Sequence, residues 1–388
     1  METYFGRLCI MKANQYHYLD STWNSNLPKA STAQLLLVFG SRELMQKQSF
    51  HEPLQIAFPN ASIIGCTTSG EIKDVEIFDD SVVVNELIFE KTEVKTTSVN
   101  LEQFANLGLA VDELVSHLPT QNLKHVLVIS DGQNVNGTEL ANCLMQKLPN
   151  DVTITGGLAG DADKFAETIV WHNNDIGTKR IVVCGFYGDH IEIGHGSLGG
   201  WVPFGPDRLI TKSEANVLFE LDNQSALALY KEYLGDFANE LPASALRFPI
   251  CIKNEDSTDF TVRTILNIDE DTNSLIFAGD MPEGKYAKLM RANTGKLVDG
   301  AESAATQALE VAGSDSPDFA LLISCVGRRL VLQQESEYEL ESVQDVLGNS
   351  CVLGGFYSYG ELSPIGKGKH CVLHNQTMTV TTFRERRT

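Results

Sequence analysis

The sequence lacks a long apolar run, a recognisable leader and paired cysteines. No apolar stretch reaches the roughly 18 residues that a membrane-spanning helix requires. The first five residues do not follow the basic, apolar and small-residue order of a signal peptide. The eight cysteines include no C-x-x-C pair, and most lie in apolar strand patterns, which predicts reduced, buried thiols. Together these absences lead us to expect a cytoplasmic protein without membrane insertion.

Positive charge is scarce, with 30 lysines and arginines against 51 aspartates and glutamates in 388 residues. The formal net charge is −21, and a field of that sign repels phosphate backbones and anionic lipids. We therefore expect neither a nucleic-acid partner nor binding to an acidic membrane surface.

The common catalytic signatures are missing as well. There is no G-x-x-x-x-G-K-[ST] phosphate loop, and a strand pattern, not a pyrophosphate-binding helix, follows the glycine-rich residues 156–161. There is no G-x-S-x-G elbow, because Ser358 lies one residue out of register for that motif. Cys66 and Cys325 end strands without an evident base, which is typical of core or pocket-wall residues. We predict that the protein is not an enzyme and keep a small-molecule enzyme as the least favoured alternative.

Histidine spacing disfavours a metal site held by several ligands. On one continuous strand His190 and His195 would face opposite sides, and His370 and His374 would lie roughly 13 Å apart. A haem held by one axial histidine needs no partner at a fixed spacing and stays open. Because C-x-x-C-H is absent, such a haem would be bound non-covalently.

What the sequence does contain is a strand-helix-strand-strand unit that occurs three times. Each copy is an apolar strand, a helical pattern, a second strand that runs into glycine-rich residues, and a third strand. These parts cover residues 35–40, 63–71 and 81–89 in copy one, 126–131, 153–161 and 180–187 in copy two, and 321–327, 351–361 and 371–383 in copy three. Strands this apolar are buried on both faces. They predict an α/β fold whose glycine-rich loops converge at one edge, where ligands bind in such sheets.

A glycine-, proline- and aromatic-rich segment at residues 194–206 breaks both helix and strand patterns. We expect it to cross between two α/β modules, residues 1–205 and residues 206–388, each built from the repeated units. After it we expect a helix at about residues 287–312, broken near Gly295.

Two arginines, Arg328 and Arg329, follow a buried strand and face the third glycine-rich loop. An arginine at a pocket mouth suits a carboxylate, and pairing with a nearby acid such as Glu361 is an equally open interpretation. The aromatic residues of that loop either line a pocket or anchor the core. The predicted ligand contacts are Cys66, Thr67, Gly157, Cys325, Arg328, Phe356, Tyr357, Ser358, Tyr359 and Glu361.

Several motifs in a fixed order resemble the FIST sensory domain. They lie at residues 65–71, 156–161, 324–329, 355–361 and 373–379, and the resemblance covers nearly the whole chain. It implies an N-terminal and a C-terminal FIST module that bind a small ligand and signal to a partner. The implied partner is a sensor histidine kinase or a cyclic-dinucleotide enzyme.

The segment at residues 194–201 is similar to that of stand-alone FIST proteins that sense nitric oxide through haem. This resemblance implies haem b, with His195 as the first axial candidate and His374 as the second, and a nitric oxide signal to a histidine kinase. The alternative is a haem-free receptor for an amino acid or another small carboxylate, bound by Arg328 and the loop at residues 357–361.

Overall fold

The computed structural model describes residues 11–47, 49–162, 164–253, 260–313 and 316–386. Within these ranges the strands are β1 (Lys12–Leu19), β2 (Thr22–Trp23), β3 (Leu35–Gly40), β4 (Ser62–Thr67), β5 (Glu71–Lys73), β6 (Glu76–Phe78), β7 (Val82–Ile88), β8 (Glu93–Asn100), β9 (Leu123–Ser130), β10 (Thr153–Leu158), β11 (Val170–His172), β12 (Asp175–Gly177), β13 (Arg180–Tyr187), β14 (Ile191–Leu198), β15 (Val202–Glu214), β16 (Val217–Leu221), β17 (Gln224–Ser225), β18 (Ile250–Lys253), β19 (Phe260–Arg263), β20 (Ile265–Asp269), β21 (Ser274–Phe277), β22 (Tyr286–Arg291), β23 (Phe319–Cys325), β24 (Val352–Ser358), β25 (Gly360–Pro364), β26 (Cys371–His374) and β27 (Met378–Glu385).

The helices in the same ranges are α1 (Arg42–Lys47), α2 (His51–Ala57), α3 (Leu107–Ser116), α4 (Gly137–Lys147), α5 (Ala226–Leu234), α6 (Thr294–Ala312), α7 (Val326–Leu332) and α8 (Ser336–Leu347). Short 3₁₀ turns lie at Leu101–Gln103, Gly235–Glu240, Ala243–Arg247 and Gln333–Glu335.

Each copy of the repeated unit forms the centre of its own sheet. In copy one the first and second strands, β3 and β4, are parallel, and the third strand, β7, pairs antiparallel with β3. The same arrangement relates β9, β10 and β13 in copy two and β23, β24 and β27 in copy three. The α/β fold and the repeated strand-helix-strand-strand unit are therefore confirmed.

The three sheets exchange strands in a cyclic order. The hairpin after the second strand of one copy pairs with the second strand of another copy, so that β5–β6 joins β24, β11–β12 joins β4, and β25–β26 joins β10. On the opposite side of each sheet, β1, β8 and β14 pair with the third strands β7, β13 and β27. Two of the sheets thus combine strands from both sides of residue 205. The boundary expected there between two modules stays a prediction.

The end of β27 lies beside the beginning of the first sheet. The Glu385 carboxylate accepts hydrogen bonds of 2.6–3.0 Å from the backbone N–H groups of residues 90–92. These residues follow β7, whose Ile88 pairs with Lys12 of β1. This contact fastens the last copy of the unit to the first.

The inner faces of the three sheets meet in one central core. The rings of Phe39 in copy one and Phe356 in copy three lie 4.6 Å apart, and Phe186 in copy two lies 5.2 Å from Phe383. Helices cover the outer faces: α1 and α2 on the first sheet, α3 and α4 on the second, and α6 and α8 on the third. Because both faces are covered, the central strands are almost uniformly apolar.

The glycine-rich residues 194–206 lie largely in two strands, β14 and β15, and not in an irregular crossover. A Cβ atom on Gly194 or Gly196 would lie 2.0 Å from a carbonyl oxygen of α6. These glycines therefore allow the strand to approach the helix closely, which is a common reason for glycine within a strand. The prediction of a segment without strand structure was wrong for this reason.

A fourth sheet is inserted between β14 and α6, and we call residues 202–291 the inserted domain. Its strand order is β19-β18-β22-β15-β16-β21-β20, with β17 beside β16, and it encloses a separate hydrophobic cluster together with α5. The helix predicted from residue 287 begins later, because β22 runs to Arg291. The Asn293 side chain then caps α6 by accepting the N–H of Lys296 at 3.0 Å.

Candidate functional site

The glycine-rich ends of the three second strands converge, as predicted. Three backbone hydrogen bonds join them in a closed ring: Ser69 N–H to Tyr357 O (2.8 Å), Gly160 N–H to Thr67 O (2.9 Å) and Tyr359 N–H to Leu158 O (3.3 Å). Each strand end donates to one neighbour and accepts from the other. The ring therefore places loops from all three copies around one point of the fold.

Glu361 is a buried carboxylate beside this ring. It accepts hydrogen bonds from Ser358 Oγ (2.7 Å) and from the N–H and Oγ1 of Thr377 (3.2 and 2.9 Å). Burial raises the pKa of Glu361 to about 8, and the hydrogen bonds from Ser358 and Thr377 oppose that shift. Glu361 thus ties the third glycine-rich loop to the beginning of β27.

Copy one holds a carboxylate in the same place of its glycine-rich loop, whereas the corresponding tie in copy two comes from the end of the first strand. Glu71 is buried and accepts from Thr68 Oγ1 at 2.5 Å and from Ser81 Oγ at 2.8 Å, and burial raises its pKa to about 8. In copy two, Asp131 accepts the N–H of Lys179, directly before β13, at 2.6 Å. In each copy a carboxylate thus ties a strand end to the residue directly before the third strand.

Arg328 lies inside the protein with no exposed surface. Its Nε and Nη2 donate to a carboxylate oxygen of Glu339 at 3.0 and 2.7 Å. Its Nη1 and Nη2 also donate to the carbonyl oxygens of Gly199 (2.5 Å) and Leu297 (2.8 Å). Arg328 does pair with an acid, as one of the two interpretations predicted, but the acid is Glu339 and not Glu361. The ligand contact predicted for Arg328 stays a prediction.

Most of the other predicted ligand contacts are core side chains. Those that are buried are Cys66, Thr67, Gly157, Cys325, Phe356, Tyr357 and Ser358. Burial raises the pKa of both thiols, Cys66 and Cys325, which disfavours a nucleophilic thiolate. The Tyr357 hydroxyl donates to Glu339 at 2.8 Å. Direct ligand contact by these residues stays a prediction.

Tyr359 is the member of the predicted set that reaches an open space. Its ring stacks on Phe165 with centres 4.5 Å apart, and its hydroxyl oxygen accepts the Phe165 N–H at 3.1 Å. The same hydroxyl donates to Ala162 O at 3.2 Å. Tyr359 therefore connects the strand-end ring to a surface cleft.

This cleft consists of four adjoining cavities near the ring, and two of them, the apolar and the amide cavity, also border the inserted domain. They are the apolar cavity (about 520 Å³; Phe165, Leu266, Leu330 and Val331), the arginine cavity (about 490 Å³; Ser69, Asp79, Arg329 and Leu330), the amide cavity (about 400 Å³; Asn134, Asn136, Asn216 and Tyr359) and the acidic cavity (about 340 Å³; Arg42, Asp79, Asp80 and Asp161). Shared wall residues place them next to one another: Leu330 lines the apolar and arginine cavities, and Asp79 lines the arginine and acidic cavities. Volumes in this range are typical of small-molecule sites.

Arg329, the neighbour of Arg328, faces the arginine cavity. Its Nη1 and Nη2 donate to the two carboxylate oxygens of Asp79, each at 2.7 Å, and Nη1 also donates to Ser69 O at 2.7 Å. Its guanidinium lies 5.5 Å from the centre of the Tyr357 ring. The Arg329 side chain is 23% exposed and that of Asp79 is 60% exposed, so a ligand from solvent can reach both.

A second ion pair lies in the acidic cavity, where Arg42 Nη1 donates to Asp161 Oδ2 at 2.8 Å. Sequence reasoning missed Arg42, Asp79 and Asp161. Arg42 follows the first strand of copy one much as Arg329 follows the first strand of copy three, so comparison of the copies could have indicated it. Asp161 ends the glycine-rich motif of copy two at residues 156–161, whereas Asp79 lies in a loop that carries no recognisable pattern.

The two histidines proposed as haem ligands are buried away from the cleft. His195 is 1% exposed with its Nδ1 unpartnered, and His374 Nε2 lies 3.1 Å from Ser363 O. Burial lowers the pKa of each to about 4. Neither lines any of the four cavities. The residues around these histidines therefore do not fit a porphyrin in this conformation.

Three further features bear on the expectations from sequence. Within the described ranges no three His, Cys, Asp or Glu side chains are grouped so that they could hold a metal ion. No helix in the described part of the chain is long and apolar enough to cross a bilayer. The seven cysteines in those ranges are unpaired and six are buried, as predicted, whereas Cys9 lies outside them.

The fold and the cleft define an α/β protein in which three repeated units surround a cavity system of small-molecule size. The chain belongs to the FIST family: the FIST N domain matches residues 34–224 and the FIST C domain matches residues 226–364. FIST domains are sensory domains that bind small ligands in signalling proteins. The resemblance stated from the sequence motifs is therefore confirmed at the level of the family.

Similarity to other known proteins is low. A solved chorismatase structure is 6% identical with a TM-score of 0.34, and the match covers 96% of this chain and 98% of that one. Cyanuric acid hydrolase from A. caulinodans is 10% identical with a TM-score of 0.20, covering 76% of this chain and 100% of that one. No curated protein matches the chain. Scores this low carry no argument about function.

Proposed function

We propose that this FIST protein is a haem-free receptor for a small carboxylate of the amino-acid class, bound in the cleft beside Arg329. The observation that carries the proposal is the pairing of Arg329 with Asp79 at the wall of the arginine cavity. The pair presents a cation and an anion side by side, which suits a zwitterion. This proposal keeps the carboxylate receptor predicted from the sequence, but it assigns the carboxylate contact to Arg329 instead of Arg328.

The energetics of this pair allow a ligand to enter. Partly exposed ion pairs contribute only about 0–1 kcal/mol, because solvent screens them and side-chain entropy opposes them. Asp79 can turn towards solvent, and a ligand carboxylate then takes the bidentate position on Arg329. The ammonium group of the ligand has Asp79 and Asp80 within the adjoining acidic cavity, where Asp161 is already paired with Arg42 and Lys164 also lines the wall.

A contiguous set of contacts connects this site to the inserted domain. The Tyr357 ring lies under Arg329, and its hydroxyl donates to Glu339, which binds Arg328. Arg328 in turn donates to the carbonyl groups of Gly199 and Leu297, which flank the two connections of the inserted domain. In our proposal a ligand at Arg329 changes the position of α7 and thereby biases the inserted domain, with different affinity for the two arrangements.

The finer parts of the signalling hypothesis are proposals of the same kind. We place the receptor in the cytoplasm and assign its output to a partner, a sensor histidine kinase or a cyclic-dinucleotide enzyme. We do not assign it an enzymatic activity. Its acidic surface, with a net charge of −21, favours a protein partner over nucleic acid.

Haem-based sensing of nitric oxide is the competing proposal. The observation in its favour is the unpartnered Nδ1 of His195, and the burial of that ring is the observation against it. Access to a haem would require β14 to separate from its neighbours, where His195 pairs with Thr381 of β27. For this reason we rank the haem-free receptor first.

The test is calorimetric titration of the full chain with the proteinogenic amino acids and with small mono- and dicarboxylates. We expect at least one to bind, and Arg329→Gln to weaken that binding about 10- to 100-fold, since charged hydrogen bonds contribute about 1.5–3 kcal/mol. The control is Arg208→Gln, because Arg208 forms a comparably exposed ion pair with Asp222 outside the cleft. Unchanged binding in Arg329→Gln, or no binding by any compound, would overturn the proposal.

A further inference from the structure

The largest cavity of the cleft has walls that are unusually apolar for a surface exposed to water. Phe165, Leu266 and Leu330 all line it, and their exposed fractions are 41%, 44% and 37%. They come from three separate parts of the fold: the loop after β10, β20 of the inserted domain, and α7. Large apolar side chains converging in this way mark a site for an apolar group.

The same cavity adjoins the charged part of the cleft. Leu330 lines both the apolar and the arginine cavities, and it follows Arg329 directly in α7. The polar side chains Glu240, Ser244 and Arg247 also line the apolar cavity. A ligand whose carboxylate lies on Arg329 therefore has an apolar space beside it.

We infer that the ligand of this receptor carries a large apolar side group, aromatic or branched aliphatic, which lies in the apolar cavity against Phe165, Leu266 and Leu330. The inference rests on the proposed function, because it assigns the carboxylate end of the ligand to Arg329. A cavity of about 520 Å³ is large enough for a phenyl or indole ring.

The inference predicts a ranking of ligands. Removing a phenyl- or leucine-sized group from water is expected to strengthen binding about 10- to 100-fold over a methyl group. In calorimetric titrations of the full chain, phenylalanine or leucine should therefore bind more tightly than alanine, and serine and glutamate should show no such gain. If serine or glutamate binds as tightly as phenylalanine and leucine, the inference is wrong.

Filling the cavity provides the second test. Ala243 lies exposed on the cavity wall, so Ala243→Phe fills the space without disturbing the core. This variant should lose the gain shown by phenylalanine and should bind alanine as the wild type does. The matched control is Leu109→Ala, which removes a 50%-exposed leucine on α3 that does not line the cleft. An unchanged preference for phenylalanine in Ala243→Phe would overturn the inference.

A neutral probe separates this inference from the proposed function. Indole carries no carboxylate, and we expect saturation-transfer NMR to show indole bound to the wild type and not to Ala243→Phe. If indole binds in this way and no amino acid or carboxylate binds, the proposed function fails and the apolar site stands. If alanine binds through Arg329 and neither indole binds nor phenylalanine gains, the apolar site fails and the proposed function stands.

Discussion

Arg328 and Glu339 form an ion pair in which neither side chain has any exposed surface, with Nη2 and Oε2 2.7 Å apart. The other oxygen of Glu339 accepts hydrogen bonds from Ser324 Oγ and from the Tyr357 hydroxyl. The pair therefore joins α7 and α8 to two strands of the third sheet. Arg329, the residue after Arg328, instead lines the arginine cavity of the cleft.

Substitution of Arg328 should destabilise the fold strongly. Arg328→Met leaves the buried Glu339 carboxylate without its cation, and the loss of one member of such a pair costs about 3–5 kcal/mol. We expect the free energy of unfolding, measured by urea titration, to fall by about that amount. Arg329→Met is the control on the same helix, because its pair with the exposed Asp79 contributes only about 0–1 kcal/mol. Equal losses in the two variants would contradict this assignment.

Acidification should destabilise the protein through its buried histidines. Burial lowers the pKa of His125 to about 3 and that of His195 to about 4, from an ordinary value near 6.5. Since the folded protein holds both rings neutral and the unfolded chain protonates them first, their contribution is complete above about pH 6.5. It is lost progressively as the pH falls towards 4. Thermal unfolding measured from pH 7.5 to pH 4 should show this loss.

The variant His195→Leu should show a shallower loss over the same pH range. His117→Leu is the matched control, because His117 is 60% exposed on its side chain and pairs with Glu113 at the surface. A variant of His195 with the same pH dependence as the wild type would show that the ring is not held neutral by burial.

Raising the pH should destabilise the protein through Glu361, whereas the histidines destabilise it as the pH falls. Burial raises its folded-state pKa to about 8, above the ordinary value near 4.3, so the folded state favours the protonated form. The stability contributed by that form is complete below about pH 4.3 and is lost as the pH rises through 8. The difference in unfolding midpoint between the wild type and Glu361→Gln should therefore shrink from pH 6 to pH 9. Glu341→Gln, at an exposed position of α8, should show no such trend.

An absorption spectrum decides between the two proposed ligand classes. After reconstitution with hemin we expect no stoichiometric Soret band, because both candidate histidines are buried and neither lines a cavity of the cleft. The measurement is the Soret absorbance per protein before and after reduction and nitric oxide addition. A near-stoichiometric band that shifts with nitric oxide and disappears in His195→Ala would establish the haem sensor instead.

Sequence reasoning succeeded where burial alone determines the pattern. The central strands, such as Leu35–Gly40 and Phe319–Cys325, are covered on both faces, and their apolar runs predicted them directly. The helical pattern between the first and second strands of copy two corresponds to α4 (Gly137–Lys147), with Asn136 as its cap. The exchange of hairpins between sheets could not be predicted, because strands as short as Glu71–Lys73 carry no measurable period.

The convergence of the glycine-rich loops was predicted, whereas the ligand contacts assigned to single residues stay predictions. The glycine-rich loops do converge, and Tyr359 reaches the cleft as expected. Which of two adjacent arginines points inwards depends on the phase of α7, a helix of seven residues, and sequence alone does not define that phase. Asp79, the partner of Arg329, lies 250 positions earlier, and only the exchanged hairpin brings it there.

The cyclic exchange of strands has a consequence for the order of the units. In each unit an edge strand pairs with the third strand: β1 with β7, β8 with β13 and β14 with β27. The three units are therefore arranged one after another around the central core. At the turn after β7 the third unit returns to the first, because Glu385 accepts the N–H of Glu90 there and Lys12 pairs with Ile88. Loss of the Glu385 carboxylate would therefore separate the end of the third unit from the first, while every strand pairing within the three sheets is preserved.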